Sequence, residues 1–197
     1  MESEKGLTMR IVIKVGTSTL AHPTGRLNIQ RIELLCKVMS DLKNAGHQII
    51  LVSSGAIAMG FGKLNLPERP KDVPTKQASA AVGQCELMYT YDKLFTEYNH
   101  TVAQLLITRP DIAEGGRRRE NFHVTLERLD DHIRALAGGS GSSLGIGGMV
   151  TKLQAAQIAT EAGCEMVIAN GHHPAALYGI AAGQPAGTRF LAGRKEL

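Results

Sequence analysis

Along the chain, short apolar runs alternate with longer stretches in which apolar positions recur at helical spacing. Met9 to Val15 (MRIVIKV) is apolar except at Arg10 and Lys14, the pattern of a parallel strand buried on both faces. It leads into a small polar turn, Gly16-Thr17-Ser18. Between Asn28 and Asn44, Ile32, Leu35, Met39 and Leu42 form a helical stripe, and Gly46 stands just beyond as a stop. Gln48 to Val52 predicts a second buried strand, ending in Ser53-Ser54-Gly55-Ala56, where a helix begins. Asn65 to Pro74 reads as a charged, proline-bearing loop. Gln77 to Tyr98 reads as a long helical region with a break near Gly83, and Thr101 to Thr108 as a third strand. Met149 to Ala162 has no Gly or Pro and many good helix formers; Gly163 ends it, and Cys164 to Ala169 is expected as a short buried strand. Strands alternating with helices predict an α/β fold around a mainly parallel sheet, with ligands beyond the carboxyl ends of the strands.

Composition narrows the class. At 197 residues the chain suits one domain, or one large domain with a small appendage, and a 43% apolar fraction can fill a core. No apolar run approaches the ~18 residues of a membrane span, and no signal-peptide pattern opens the chain. The first eight residues, MESEKGLT, are polar and expected to fray. The net charge of +4 suits anionic small molecules and weak nucleic-acid contact equally. Aromatics at 4%, with no Trp, are poor material for base stacking, so an RNA role rests only on Arg117-Arg118-Arg119 and the basic balance. Three scattered cysteines, Cys36, Cys85 and Cys164, read as reduced core thiols of a cytosolic protein.

The candidate chemistry is phosphate binding. Gly138 to Gly148 is glycine and serine with few large side chains, so its backbone N–H groups can approach a ligand closely. It opens the helix at Met149, and Lys152 falls in that helix's first turn, where orphan N–H groups and the helix dipole also favour an anion. The loop is not a Walker A motif, because no glycine in it precedes a lysine. Nor is it a GxGxxG fingerprint, since Leu144 and Val150 stand where third glycines belong. The bland alternative is a flexible linker before an ordinary helix. Lys14 is the second candidate: a lysine within a buried strand is costly to desolvate without an anionic partner, unless it lies at an edge and snorkels to solvent. Ser54 has two readings as well, a ligand contact or a cap for the helix after it. His172-His173 lacks nearby acidic or cysteine partners and reads as a strand-to-helix loop rather than a metal site.

Five segments together resemble the amino-acid kinase family, and within it the kinases that phosphorylate glutamate. They are IVIKVGTSTL at Ile11–Leu20, ILVSSGAIAMG at Ile50–Gly60, KQASAAVGQ at Lys76–Gln84, LLITRPD at Leu105–Asp111 and AGGSGSSLGIGGMVTKLQAAQIATEAG at Ala137–Gly163. The resemblance implies a three-layer αβα sandwich with a mainly parallel sheet. It implies transfer of the ATP γ-phosphoryl group to the side-chain carboxylate of L-glutamate, the first step of proline synthesis. Mg2+, a homo-oligomer, feedback inhibition by proline and a cytoplasmic location come with it, and neither nucleic acid nor a membrane is implied. Carried over residue by residue, Lys14 would hold the ATP phosphates and stabilise the transferred group, with Gly16 and Thr17 cradling them. Ile146, Gly147, Gly148, Met149, Val150, Thr151 and Lys152 would bind ATP, and Lys152 would be the second catalytic lysine. Ser54, Gly55 and Ala56 would bind glutamate; the metal ligands are not implied by any matching residue. Ile146 stands where the family usually has threonine, so one hydroxyl contact is missing.

The resemblance breaks after Arg119-Glu120-Asn121-Phe122. The family's NENDTV, GDND and SDIDGLY strings are absent, and His123 to Leu136 leads straight into the glycine loop. The shortfall of about 70 residues is enough for two βα units at ~30 residues each. The expected organisation is thus a flexible tail at 1–8 and a kinase domain at 9–197 with an internal gap near 122–130. The absent part supplies the family's acidic substrate residues; Asp130 and Asp131 read as caps of the short helix after them, not as replacements. Either the sequence omits a stretch that the folded protein has, or the chain is shortened and a non-catalytic nucleotide- or amino-acid-binding remnant. Removing two units would leave core strands with unpaired backbone groups, which favours the first.

Overall fold

The computed structural model describes residues 8–24, 26–106 and 148–192. The rest of the N-terminal tail, Arg117–Arg119, Asp130, Asp131, most of the glycine loop and the gap near 122–130 lie outside the described residues. The chain divides into two compact units, the first formed by residues up to Val102 with Gly171–Ala182, the second by Ala103–Asn170 with Gly183 onward.

In the first unit, β1 (Arg10–Val15) and β2 (Gln48–Ser53) pair in parallel, from Arg10 opposite Gln48 to Val15 opposite Ser53. Between them lie α1 (Thr17–Leu20) and α2 (Ile29–Asn44). α2 begins where its sequence says it should: the Asn28 side chain accepts a hydrogen bond from the Arg31 N–H, satisfying one orphan donor of the first turn. It ends before Gly46, whose φ of 99° is in the left-handed region that glycine enters without strain. Its stripe of Ile32, Leu35, Cys36 and Met39 is buried with Ile13 and Val15 of β1 and Leu87, Tyr91, Leu94 and Phe95 of the later helix α4 (Val73–Thr96). Burial makes a Cys36 thiolate unfavourable and pushes its pKa up to about 12, so this cysteine is a core thiol.

Among the described residues, both strands are covered on one face only. Ile13 and Val15 are buried, whereas Val12, 60% exposed, and Lys14 point to the other side. The expectation of strands buried on both faces is therefore corrected. An apolar run cannot distinguish one covering layer from two, and among the described residues only one packs on this pair. Thr101–Leu106 is likewise no strand. A strand needs a ladder partner, and Leu105 and Leu106 stay 83% and 74% exposed.

After β2, α3 (Ala56–Lys63) and α4 (Val73–Thr96) pack tightly against each other. α4 starts earlier than its apolar pattern suggests, because Asp72 caps it by accepting from the Thr75 N–H at 2.8 Å and Pro74 suits the first turn. The expected break at Gly83 is absent; α4 continues through it. Gly83 serves packing: a Cβ there would overlap the Ala56 carbonyl, and one at Gly60 would overlap the Ser79 backbone. The short helix α6 (Ala176–Ala181), with Leu177 against the same core, completes this unit.

In the second unit, α5 (Met149–Glu161) buries Leu153 and Ala156, and Gly163, at φ 78°, turns the chain out of it. β3 (Met166–Ile168) is shorter and less buried than expected and pairs antiparallel with β4 (Thr188–Phe190), flanked by an Arg189–Glu165 ion pair at 2.6 Å. Cys164, like Cys85 on α4, is exposed, so only Cys36 of the three is a core thiol. His172-His173 lies between β3 and α6, the strand-to-helix loop its sequence indicated. The α/β class read from the sequence is the one the chain has, although β3–β4 is antiparallel.

Candidate active site

Parallel pairing decides where the first candidates go. Because Val15 lies opposite Ser53, Gly16-Thr17-Ser18 and Ser54-Gly55-Ala56 leave the sheet side by side at its carboxyl end. A Cβ placed on Gly55 would come 3.9 Å from Thr17 Cα and 4.0 Å from Thr17 Cγ2, so the two turns are neighbours. Lys14 curls over the first of them: its Nζ stands 3.7 Å from the point a Gly16 Cβ would occupy. Residues far apart in sequence, Lys14, Gly16, Thr17, Ser54, Gly55 and Ala56, thus form one cluster.

Gly16 has no structural need to be glycine. Its φ of −89° and ψ of 164° suit any residue, and among the described residues the only atom near a Cβ is the end of the flexible Lys14 side chain. What it leaves is open space under an ammonium group, the room that a phosphate oxygen requires for close approach to backbone N–H groups. Gly55 is glycine for a different reason: it sits at φ 117°, which an L side chain resists, and so swings the chain from β2 into α3. No side chain caps α3, so its first N–H groups keep their capacity for an anion such as a carboxylate. Ser54 is accordingly not the cap; the cap position belongs to Gly55. Lys14 is also not desolvated. It stands exposed on the open face of the sheet, and its cost of burial is avoided rather than offset.

The end of β2 is tied to the core. Ser53 Oγ lies 2.9 Å from the Tyr91 hydroxyl and also donates to the Ser54 carbonyl at 3.3 Å. Burial pushes the Tyr91 pKa up to about 12, against the lowering effect of its Ser53 hydrogen bond, so the phenol keeps its proton. No sequence pattern pointed to Tyr91, which reads as one more apolar position of a helix.

The second unit carries the other phosphate candidates. Gly148 is the N-cap of α5, extended and without a capping side chain, and no acidic residue lies in the first turn. Thr151 Oγ1 donates back to the Gly148 carbonyl at 2.8 Å, while Met149, Val150 and Lys152 are exposed. Gly148 to Lys152 is therefore an open helix start with one lysine. Ile146 and Gly147 lie outside the described residues. Among the described residues no group of three or more His, Cys, Asp or Glu could hold a metal ion, so they do not by themselves provide a Mg2+ site. Nor is any helix among them long and apolar enough to cross a membrane.

Small residues and one lysine gathered at the ends of parallel strands are parts that a phosphate-handling α/β protein requires. The chain belongs to the amino acid kinase family, whose pattern matches residues 9–139. It is similar to the glutamate 5-kinase of Clostridium acetobutylicum, 39% identical over 252 residues that cover 92% of this chain and 94% of that protein. It is also similar to that of Clostridium perfringens, 37% identical with 95% and 97% covered, and to that of Listeria monocytogenes serotype 4a, 35% identical with 95% of each covered. It is an enzyme, a kinase of the transferase class. An alignment over 252 residues exceeds the 197 of this chain, so the relative has residues with no counterpart here, in keeping with a missing internal segment.

Proposed function

We propose that this kinase transfers the γ-phosphoryl group of ATP to the side-chain carboxylate of L-glutamate, giving L-glutamyl 5-phosphate for proline synthesis. The observation that carries the reading is the contact between two turns: an ammonium over a glycine turn just after β1, and an uncapped helix start beside Ser54 just after β2. The first suits a phosphate and the second a carboxylate, and phosphoryl transfer requires the two side by side. Relatives to which nearly the whole of this chain aligns bear the glutamate 5-kinase name.

In this reading Gly16 and Thr17 hold the transferred phosphate by their backbone N–H groups. Lys14 Nζ then neutralises the charge that spreads over its oxygens as the bond to ADP lengthens. Ser54 Oγ and the N–H groups at Gly55 and Ala56 hold glutamate so that its side-chain carboxylate oxygen faces the phosphorus. The carboxylate is already anionic, so no general base is needed. Ile146 to Lys152 would bind the rest of ATP, with Lys152 as the second cation at its phosphates. Mg2+, when bound, supplies further charge neutralisation; the described residues do not form its site, and no step is assigned to it. Residues 9–197 would form a single kinase domain with an internal gap near 122–130, active in the cytoplasm as a homo-oligomer that proline inhibits.

The test is ADP release by the purified chain with ATP and Mg2+, with and without L-glutamate. Release that depends on L-glutamate, is not replaced by L-aspartate and falls with added proline is expected. Release indifferent to the acceptor would refute the reading.

A further inference from the structure

Tyr91 lies outside every segment that touches a substrate in the reading above. It sits on α4 and is 3% exposed, with Ile13, Cys36, Leu87 and Phe95 in the same core cluster. Its ring stacks against Phe95, with centroids 6.2 Å apart. A tyrosine so deep in a core would be better replaced by phenylalanine unless its hydroxyl finds a partner, because burying an unpaired hydroxyl is costly.

The partner it has is specific. The Tyr91 hydroxyl and Ser53 Oγ are 2.9 Å apart, and Ser53 Oγ also reaches the Ser54 carbonyl at 3.3 Å. A serine hydroxyl has one proton to donate. If it goes to the Ser54 carbonyl, which has no proton of its own, Ser53 must accept from Tyr91. The chain of bonds then runs in one direction, from the Tyr91 O–H to Ser53 Oγ and from the Ser53 O–H to the Ser54 carbonyl. That carbonyl belongs to the Ser54–Gly55 peptide, whose plane sets the direction of the Gly55 N–H. Gly55 is also the residue at φ 117°, where the backbone has little resistance of its own to rotation. A second restraint comes from the same helix, since Gly83 of α4 lets the Ala56 carbonyl pack against it.

We infer that Tyr91 is a positioning residue, which through Ser53 fixes the Ser54–Gly55 peptide in the orientation that receives glutamate. The inference rests on the reading of Ser54 to Ala56 as the glutamate seat. Tyr91 does not touch substrate, and its effect belongs to glutamate rather than to ATP.

Steady-state kinetics of the full chain test it with Tyr91→Phe, which retains the ring and its packing. The KM for glutamate should rise about three- to tenfold, the worth of one hydrogen bond, with kcat within twofold and the KM for ATP unchanged. Ser53→Ala should do the same, the double variant should be no worse than either, and Ser53→Thr, which keeps a hydroxyl, should retain the wild-type KM. In the protein without substrate, amide exchange of the peptide spanning Ser53–Ile57 should be faster in Tyr91→Phe, with β1 unchanged. A Tyr91→Phe protein with a lower melting temperature but unchanged glutamate KM and exchange would overturn the inference and leave Tyr91 a core residue. Should Tyr91→Phe not fold, the Ser53→Ala and Ser53→Thr pair decides the same question. Ser54→Ala separates the two levels. If it raises the glutamate KM while Tyr91→Phe does not, only the role of Tyr91 falls; if it leaves that KM untouched, the seat is misassigned and the inference falls with it.

Discussion

Gly16→Ala separates packing from chemistry, because the structure predicts opposite signs for stability and activity. The backbone at Gly16 (φ −89°, ψ 164°) is open to alanine, and among the described residues the only atom near the new methyl group is Lys14 Nζ at 3.7 Å, an ordinary van der Waals distance. The folded state therefore gains no strain, while the unfolded chain loses freedom, so the variant should be more stable by about 0.4–1 kcal/mol. For a chain of this size that raises the melting temperature by roughly 1–4 °C. If Gly16 cradles a phosphate, the same methyl group occupies the space of an anionic oxygen. Losing one charge-assisted hydrogen bond costs about 1.5–3 kcal/mol, or roughly a 10- to 100-fold fall in kcat/KM for ATP. The assay pairs thermal unfolding with ADP release at varied ATP. Wild-type kcat/KM would refute the cradle, and a variant that loses stability along with activity would show that the space around Gly16 has been misjudged.

Lys14→Ala should lower kcat at least ~10²-fold with little change in melting temperature, since the side chain is exposed and acts on charge developing in transfer; unchanged turnover would remove it from the site. Lys152→Gln should weaken ADP binding about tenfold or more in calorimetry and leave adenosine binding alone, because only ADP presents phosphates to the α5 start; an equal effect on both ligands would make Lys152 a surface residue. Gly83→Ala should cost about 1–3 kcal/mol of stability in urea titrations, since its methyl group would overlap the Ala56 backbone; a neutral result would mean that α3 and α4 can separate at no cost. Asp72 has its pKa lowered chiefly by the backbone hydrogen bond from Thr75. Its contribution is therefore present above its unfolded pKa of about 3.9 and is lost as pH falls through the lower folded value. The stability gap between wild type and Asp72→Ala, followed by urea midpoints, should be constant near neutrality and narrow below about pH 4; a gap that widens in acid would contradict the cap.

The elements of the first unit were legible because each is specified within a few residues of itself. Asn28 and Gly46 bracket α2, and the Ser53–Ala56 string turns β2 into α3. Lys14, Gly16, Ser54 and Lys152 could be singled out for the same reason: a cation within an apolar strand, small residues at a strand end and a lysine just after a glycine loop are all local signals. The sequence by itself determined the α/β class, the family resemblance, the break after Phe122 and the residue types of the candidate site. It could not say how many layers cover a strand, since an apolar run looks the same with one or two; hence the exposed Val12 and Lys14. Nor could it show that Gly83 is a contact and not a break, because the atom it makes room for, the Ala56 carbonyl, lies 27 residues away along the chain. Only the tertiary structure decided that Thr17 and Gly55 are neighbours, through the register of β1 on β2. It alone paired the Tyr91 hydroxyl with Ser53 across 38 residues. Both depend on distances between segments, which no local pattern encodes.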